Sequence, residues 1–345
     1  MKIRMRDVML PVMMAALAIG VIPAEAQVVP RPPQPPEPGV NPPRPSRAPR
    51  PPRAPRAWFG DADTGLARID TVVPFSADGT VELSLVAGTM KVTTWDRNQV
   101  RVVASTTGTP SLQFDASSSH VTLEQEKTGR RDDRGSDNVG TATYEVTVPA
   151  GSRASLSAIS GNINASGLRG RLEVSNVSGN VDLRDIGASL SAEGVSSRIT
   201  ATNVSGDVRV ENVSGRISVT NVGGSVNVET VSGSMVVRAV RGERVHATTV
   251  SGNIDFAGPV TASGRYEFET HSGRTDLTLA GNANAAISVE TFSGSVTNDY
   301  PGAVRRANDD PDEARTNFEY VIGRGEGRVR AETFSGSVHI SQGNP

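Results

Sequence analysis

The chain has 345 residues, with 35 lysines and arginines against 37 aspartates and glutamates, a formal net charge of −2. It contains no cysteine, which excludes a disulfide framework, a Cys-ligated metal and an acylated lipoprotein cysteine. Aromatic residues make up 4% of it, which weakens carbohydrate stacking and single-strand nucleic-acid binding, and no nucleic-acid partner is expected.

Lys2, Arg4 and Arg6 form a basic start, Val8 to Ile22 an apolar run, and Ala24-Glu25-Ala26 a small-x-small cleavage site. Residues 1–26 therefore read as a secretory signal peptide, and the mature chain is expected in the periplasm or at the cell surface. The apolar run falls short of the ~20 residues of a membrane span, which argues against a retained anchor. Residues 27–57 are a different material, with thirteen prolines and with Arg31, Arg44, Arg47, Arg50, Arg53 and Arg56 against the lone acid Glu37. Polyproline II is the expected state of such a linker, serving as a spacer or as a tether to an anionic surface. Residues 58–152 hold β-rich segments that cap or open the repeat region, with an exposed loop expected at Arg130 to Asn138.

From Arg153 to Gly242 the sequence is an unbroken series of ten nine-residue units, of which RLEVSNVSG and DVRVENVSG are typical. A strict short period means stacked units. Positions 2, 4 and 7 are mostly apolar and read as the inward face. Polar residues collect at 5 and 6, where the corner is expected. Position 9, usually Gly, marks a close approach or a bend. Hairpins would require Asn-Gly or Asp-Gly at the corners, and these are absent. Beyond the regular block the Ser-Gly pairs begin at Ser232, Ser251, Ser272, Ser293 and Ser335, in steps of 19, 21, 21 and 42. The doubled step predicts an all-β, parallel β-solenoid of about 18–21 residues per turn, built from nine-residue half-turns. Asn176, Asn203, Asn212 and Asn221 are expected to pair amides up the stack. The repeat domain runs over 153–345, carries an insertion at 295–327 and is closed by Arg328 to Ser341.

Gly88 to Asp96, the recurrent V-S-G units and Gly323 to Ile340 together resemble the bacterial DUF4097-type proteins, an adhesin-domain or β-strand-repeat family. The resemblance covers about residues 70–341 and implies an extracytoplasmic β-solenoid with an adhesin-like role. It implies no catalytic residue, and no catalytic, cofactor-binding or metal-binding residue is assigned.

The residues agree with that. His120, His246, His271 and His339 lack metal-ligand spacing, and His271 at a position 7 is expected to be partly buried. The acidic cluster Asn308 to Arg315 lacks the glycine of an EF-hand loop and reads as solvated, with a short helix started by Pro311. Outward charges such as Arg171, Glu173, Asp182, Arg184, Arg209 and Glu211 are expected to form weak cross-rung pairs. The reading is a secreted, non-enzymatic interaction module without cofactors, whose partner is an envelope polymer, glycan or protein surface. The alternatives are a carbohydrate-active β-helix enzyme with its site in the 295–327 insertion, and a structural protein that self-associates through the solenoid ends.

Overall fold

The computed structural model describes residues 68–107, 112–125, 140–306 and 316–343. The expected signal peptide, the linker, the loop at 130–138 and the acidic cluster at 308–315 lie outside the described residues. Nineteen strands, with no helix among the described residues, join into one hydrogen-bonded sheet wound on itself. The all-β parallel solenoid read from the repeat is the observed fold.

Two strands open the chain, β1 (Arg68–Pro74) and β2 (Thr80–Trp95). Then come β3 (Gln99–Thr106), β4 (Leu112–Ala116), β5 (His120–Gln125) and β6 (Ala142–Pro149). The regular stack consists of β7 (Arg153–Ser166), β8 (Leu172–Ile186), β9 (Leu190–Val204), β10 (Val208–Val222) and β11 (Val226–Val240), paired in parallel. Each of these strands carries two repeat units bent round a corner. Leu172, Leu190, Val208 and Val226 share one column, so a turn is 18 residues. Next, β12 (Arg244–Ser251) and β13 (Ile254–Gly258) form the two halves of one rung, and β14 (Arg265–Ala280) forms the following one. Here turns lengthen and the core thickens. Phe256 packs on Tyr266 and Phe268 at ring-centroid distances of 5.7 and 5.1 Å, where earlier rungs hold Ala192 and Ala201.

The C-terminal segment comprises β15 (Ala285–Thr291), β16 (Ser295–Asn298), β17 (Val304–Arg306), β18 (Thr316–Ile322) and β19 (Gly327–Gly343). The expectation that Arg328 to Ser341 closes the stack is corrected here. β19 is an internal rung, parallel to β14 on one side and to β15 and β16 on the other. The outer end is formed instead by β18, antiparallel to β15 and to β17. The N-terminal end mirrors this arrangement. β2 lies parallel between β7 and the pair β5 and β6, and beyond them β3 runs antiparallel to β6, β1 to β3 and β4 to β5. At each end the chain makes an antiparallel excursion and returns. The parallel rungs are thereby covered by irregular strands, a known way to blunt sheet edges.

The two half-turns of a rung differ, which the nine-residue period conceals. In the half-turn beginning at Asn162, Asn180, Arg198, Arg216 or Ser234, the residue at position 6 has positive φ: Gly167 81°, Asp185 55°, Asn203 59°, Asn221 57° and Ala239 53°. Asn and Asp tolerate the left-handed region, and the sharp turn there returns position 7 to the interior. Leu168, Ile186, Val204, Val222 and Val240 are accordingly all buried. In the other half-turn the strand runs straight through position 7. Position 6 then faces inward and position 7 faces solvent: Asn212 is 4% exposed and Val213 37%. The expectation that position 7 points inward thus holds in alternate units and fails in the rest.

The bend of this second half-turn falls at position 9. A Cβ placed on Gly233, Gly252 or Gly273 would lie 2.0, 1.8 or 2.0 Å from the carbonyl oxygen of the corner glycine one rung before. Glycine is therefore required by the neighbouring rung and not by an opposite wall. Ser197 alone carries a side chain in this column of the regular block, and its buried hydroxyl donates to the Asn176 carbonyl at 2.9 Å.

Candidate interaction surface

The straight corner builds a continuous external feature. Ser178, Ser196, Ser214, Ser232, Ser251, Ser272 and Ser335 align in register along the stack. Just before them in the sequence stand the position-7 residues. Val86, Ile159, Val177, Val195, Val213, Val231 and Val250 occupy seven successive rungs, and His271, Phe334 and Phe292 occupy the next three. Ile159, Val177, Val195, Val213, Phe292 and Phe334 are all exposed large hydrophobics. At the ~4.8 Å spacing of paired strands the ten rungs make a ridge about 43 Å long. Val86, Val231 and Val250 are half-buried, and the rest of the line stands at the surface, where single exposed apolar residues are ordinary but a row of them is not.

The aromatic end of the ridge is ordered by stacking. Phe334 lies between His271 and Phe292, with ring centroids 4.8 Å apart on both sides and planes within 7°. His271 is exposed and not partly buried as expected, because position 7 of this half-turn faces out. The order in space is His271, Phe334, Phe292, whereas the order in sequence is 271, 292, 334. The internal placement of β19 produces that inversion.

Beneath the ridge, position 6 forms a buried polar column of Asn176, Asn212, Thr230, Thr249, Thr270, Thr333 and Thr291. Several of these side chains hold the corner backbone. Asn212 donates to the Ser197 and Ser214 carbonyls at 2.8 and 2.7 Å, and Thr270 donates to Ser272 at 3.2 Å. The amide ladder expected at the four asparagines therefore splits in two. Asn221 donates to Asn203, and Asn203 to Asp185, each at 2.8 Å, whereas Asn176 and Asn212 turn inward, two rungs apart with Gly194 between.

Beside the ridge, two residues back along each strand, position 5 forms a second outward column. Glu193, Glu211 and Glu229 stack in register, followed by Thr248 and then by Glu269, Glu332 and Glu290. Two arginines answer part of this charge. Arg209 donates through Nε to Glu211 at 2.7 Å, and Arg330 reaches Glu290 at 3.1 Å and Glu332 at 2.5 Å. Glu193 and Glu269 make no ion pair among the described residues. Many of the outward pairs run along one strand and not across rungs: Arg171 meets Glu173 at 2.8 Å and Arg184 meets Asp182 at 2.7 Å. Residues i and i+2 share a face of a strand, which brings such neighbours together.

The histidines are dispersed. His246 Nε2 lies 3.0 Å from the Thr248 hydroxyl, and His339 Nε2 lies 2.9 Å from Asp299. Among the described residues no three metal-ligating side chains converge. A shallow depression of about 480 Å³ near the C-terminal end is lined by Arg265, Glu267, Glu290, Glu319, Arg328 and Arg330, with their charges interleaved. Of the expected insertion, Tyr300 is buried and donates its hydroxyl to the Ala280 carbonyl at 2.8 Å, anchoring the outer end. Asp309, Asp310, Asp312, Glu313 and Arg315 lie outside the described residues.

Fold and surface together define a parallel β-solenoid protein with an apolar ridge and an acidic ladder on one corner. Residues 73–341 match the model of the family described as Toastrack DUF4097, and the chain belongs to that family. No curated protein sequence matches it. Among solved structures, a "putative cell adhesion protein" from Clostridium sporogenes aligns over 81% of this chain and 100% of its own. Its sequence identity is 10% and its TM-score 0.22, a likeness too loose to support any argument.

Proposed function

We propose that this chain is an exported, non-catalytic interaction module whose contact line is the ridge. The observation that carries the reading is the alternation at position 7. The repeat puts a hydrophobic residue there in every unit, and burial accounts for it only in alternate units. The other units hold Val, Ile, Phe or His there over ten rungs, seven of them exposed and Val86, Val231 and Val250 half-buried, and a partner that covers the exposed ones supplies the missing reason. The partner is an envelope polymer, a glycan or a protein surface. The signal-peptide pattern of residues 1–26 supports export, checked by sequencing the N-terminus of secreted protein, expected to begin at Gln27.

The test is retention of the full chain on whole cells, isolated envelope and a glycan panel, with product release followed as well. Val177→Ser/Val213→Ser/Phe334→Ser is expected to keep the strand signature in circular dichroism and to lose about tenfold in retention. Unchanged retention would remove the ridge from the reading, and glycan turnover would end the non-catalytic assignment.

A further inference from the structure

The acidic ladder beside the ridge has a repeat distance of its own. Counting rungs from β9, carboxylates stand at the first, second, third, fifth, sixth and seventh positions, with Thr248 at the fourth. Alternate rungs thus give the unbroken set Glu193, Glu229, Glu269 and Glu290. At ~4.8 Å per rung their spacing is about 9.6 Å. The ridge runs parallel to this set, two residues along the strand and so ~6.6 Å away. The surface is therefore a pair of rails, one mainly apolar, exposed at most rungs and half-buried at Val231 and Val250, the other anionic.

An extended peptide that fits both rails must present a cation every ~9.6 Å and apolar side chains next to it. Polyproline II meets this condition, since three residues at ~3.1 Å each advance about 9.3 Å and return to the same edge. Its rings and backbone are already ordered, so little entropy is lost on docking. Over the three intervals of the carboxylate set the mismatch stays near ~1 Å, within the reach of an arginine side chain. A strand or helix would not match, because their same-face repeats are about 6.6 and 5.4 Å.

We propose that the ridge and the acidic ladder together bind a proline-rich segment in polyproline II form that carries arginine at every third residue. This rests on the ridge being the contact line. The pattern is spelled out in the chain itself. Arg44, Arg47, Arg50, Arg53 and Arg56 recur at a strict interval of three, and the residues before them are Pro43, Ser46, Pro49, Pro52 and Pro55. A peptide of this sequence in polyproline II form aligns its five guanidinium groups on one edge and its prolines on the adjoining edge. Glu193 is exposed and Glu269 half-buried, and neither makes an ion pair among the described residues. Glu229, which accepts from Asn227 at 3.0 Å with Arg209 4.0 Å away, and Glu290, held by Arg330, are half-buried and keep further lone pairs for a second donor.

The experiment uses a labelled synthetic peptide of residues 43–56 and the full chain carrying R44Q/R47Q/R50Q/R53Q/R56Q, so that its own copy of the pattern does not compete. Anisotropy is expected to show saturable, salt-sensitive binding. Glu193→Gln/Glu229→Gln/Glu269→Gln/Glu290→Gln is expected to weaken it about tenfold. A peptide of identical composition with its arginines gathered at one end, which needs no protein variant, is expected to bind several-fold more weakly. Absence of saturable binding, equal binding of the two peptides, or unchanged affinity in the glutamine variant overturns the proposal. If peptide binding fails while ridge variants still lose envelope retention, only the peptide proposal falls. If ridge variants keep full retention, the underlying reading falls as well.

Discussion

Asn203-Val204-Ser205-Gly206 and Asn212-Val213-Ser214-Gly215 are the same four residues, nine positions apart, and they do opposite things. In the first, Asn203 takes a left-handed φ of 59° and extends an amide ladder at the surface, while Val204 is 1% exposed. In the second, Asn212 is buried against two carbonyls, Val213 stands in solvent, and Gly215 takes the positive φ of 114°. One corner serves the core and the other builds the surface. The lesson is that a nine-residue sequence period can encode an eighteen-residue structural period, with the choice made by the neighbouring rungs and not by the tetrapeptide.

The largest expected effect concerns which rungs are internal. A chain ending at Glu326 loses β19 and leaves β14 facing a gap beside β15. It is expected to lose cooperative unfolding and solubility, read by differential scanning calorimetry. Next comes the glycine column. Gly252→Ala forces a Cβ toward the Gly233 oxygen, and several kcal/mol of destabilisation are expected, visible as a fall in Tm of about 10 °C or more.

The two matched tetrapeptides provide the sharpest contrast. Val204→Ser introduces a cavity and an unpaired hydroxyl and is expected to cost about 2–4 kcal/mol in urea unfolding. Val213→Ser, in the same local sequence, is expected to stay within about 0.5 kcal/mol. Equal effects would refute the two-corner description. A smaller contrast of the same kind is Asn212→Ala, expected to cost about 1–3 kcal/mol because two corner carbonyls lose their donor, against about 1 kcal/mol for the exposed Asn203→Ala.

The smallest effect is one of pH. Tyr144, on the N-terminal strand β6, donates its hydroxyl to the Ser84 carbonyl at 3.2 Å. Burial, and secondarily the charge of Glu124, raise its phenol above the ordinary tyrosine value. The unfolded chain releases this proton near pH ~10 while the native chain retains it, so native stability declines as pH rises past ~10. Tyr144→Phe is expected to flatten that alkaline limb in a Tm-against-pH series, at some cost in stability at neutral pH.

Much of the fold was legible in the chain alone. Alternating apolar residues at positions 2 and 4 dictate a strand face, and the absence of hairpin turn residues with the doubling of the Ser-Gly step dictates a parallel coil. Those are local signals, since side-chain period and turn chemistry act within a few residues. The surface was not legible. Val213 and Val204 carry the same neighbours, so no reading of the repeat separates an exposed valine from a buried one. The stack of His271, Phe334 and Phe292, and the run of Glu269, Glu332 and Glu290, form only because β19 returns between β14 and β15. Contacts between residues some forty to sixty positions apart are settled by which strand edge is left unpaired, an energy that belongs to the whole stack. The chain by itself determined that it would coil in parallel half-turns; the tertiary structure alone decided which half-turns bury their hydrophobic residue and which leave it at the surface.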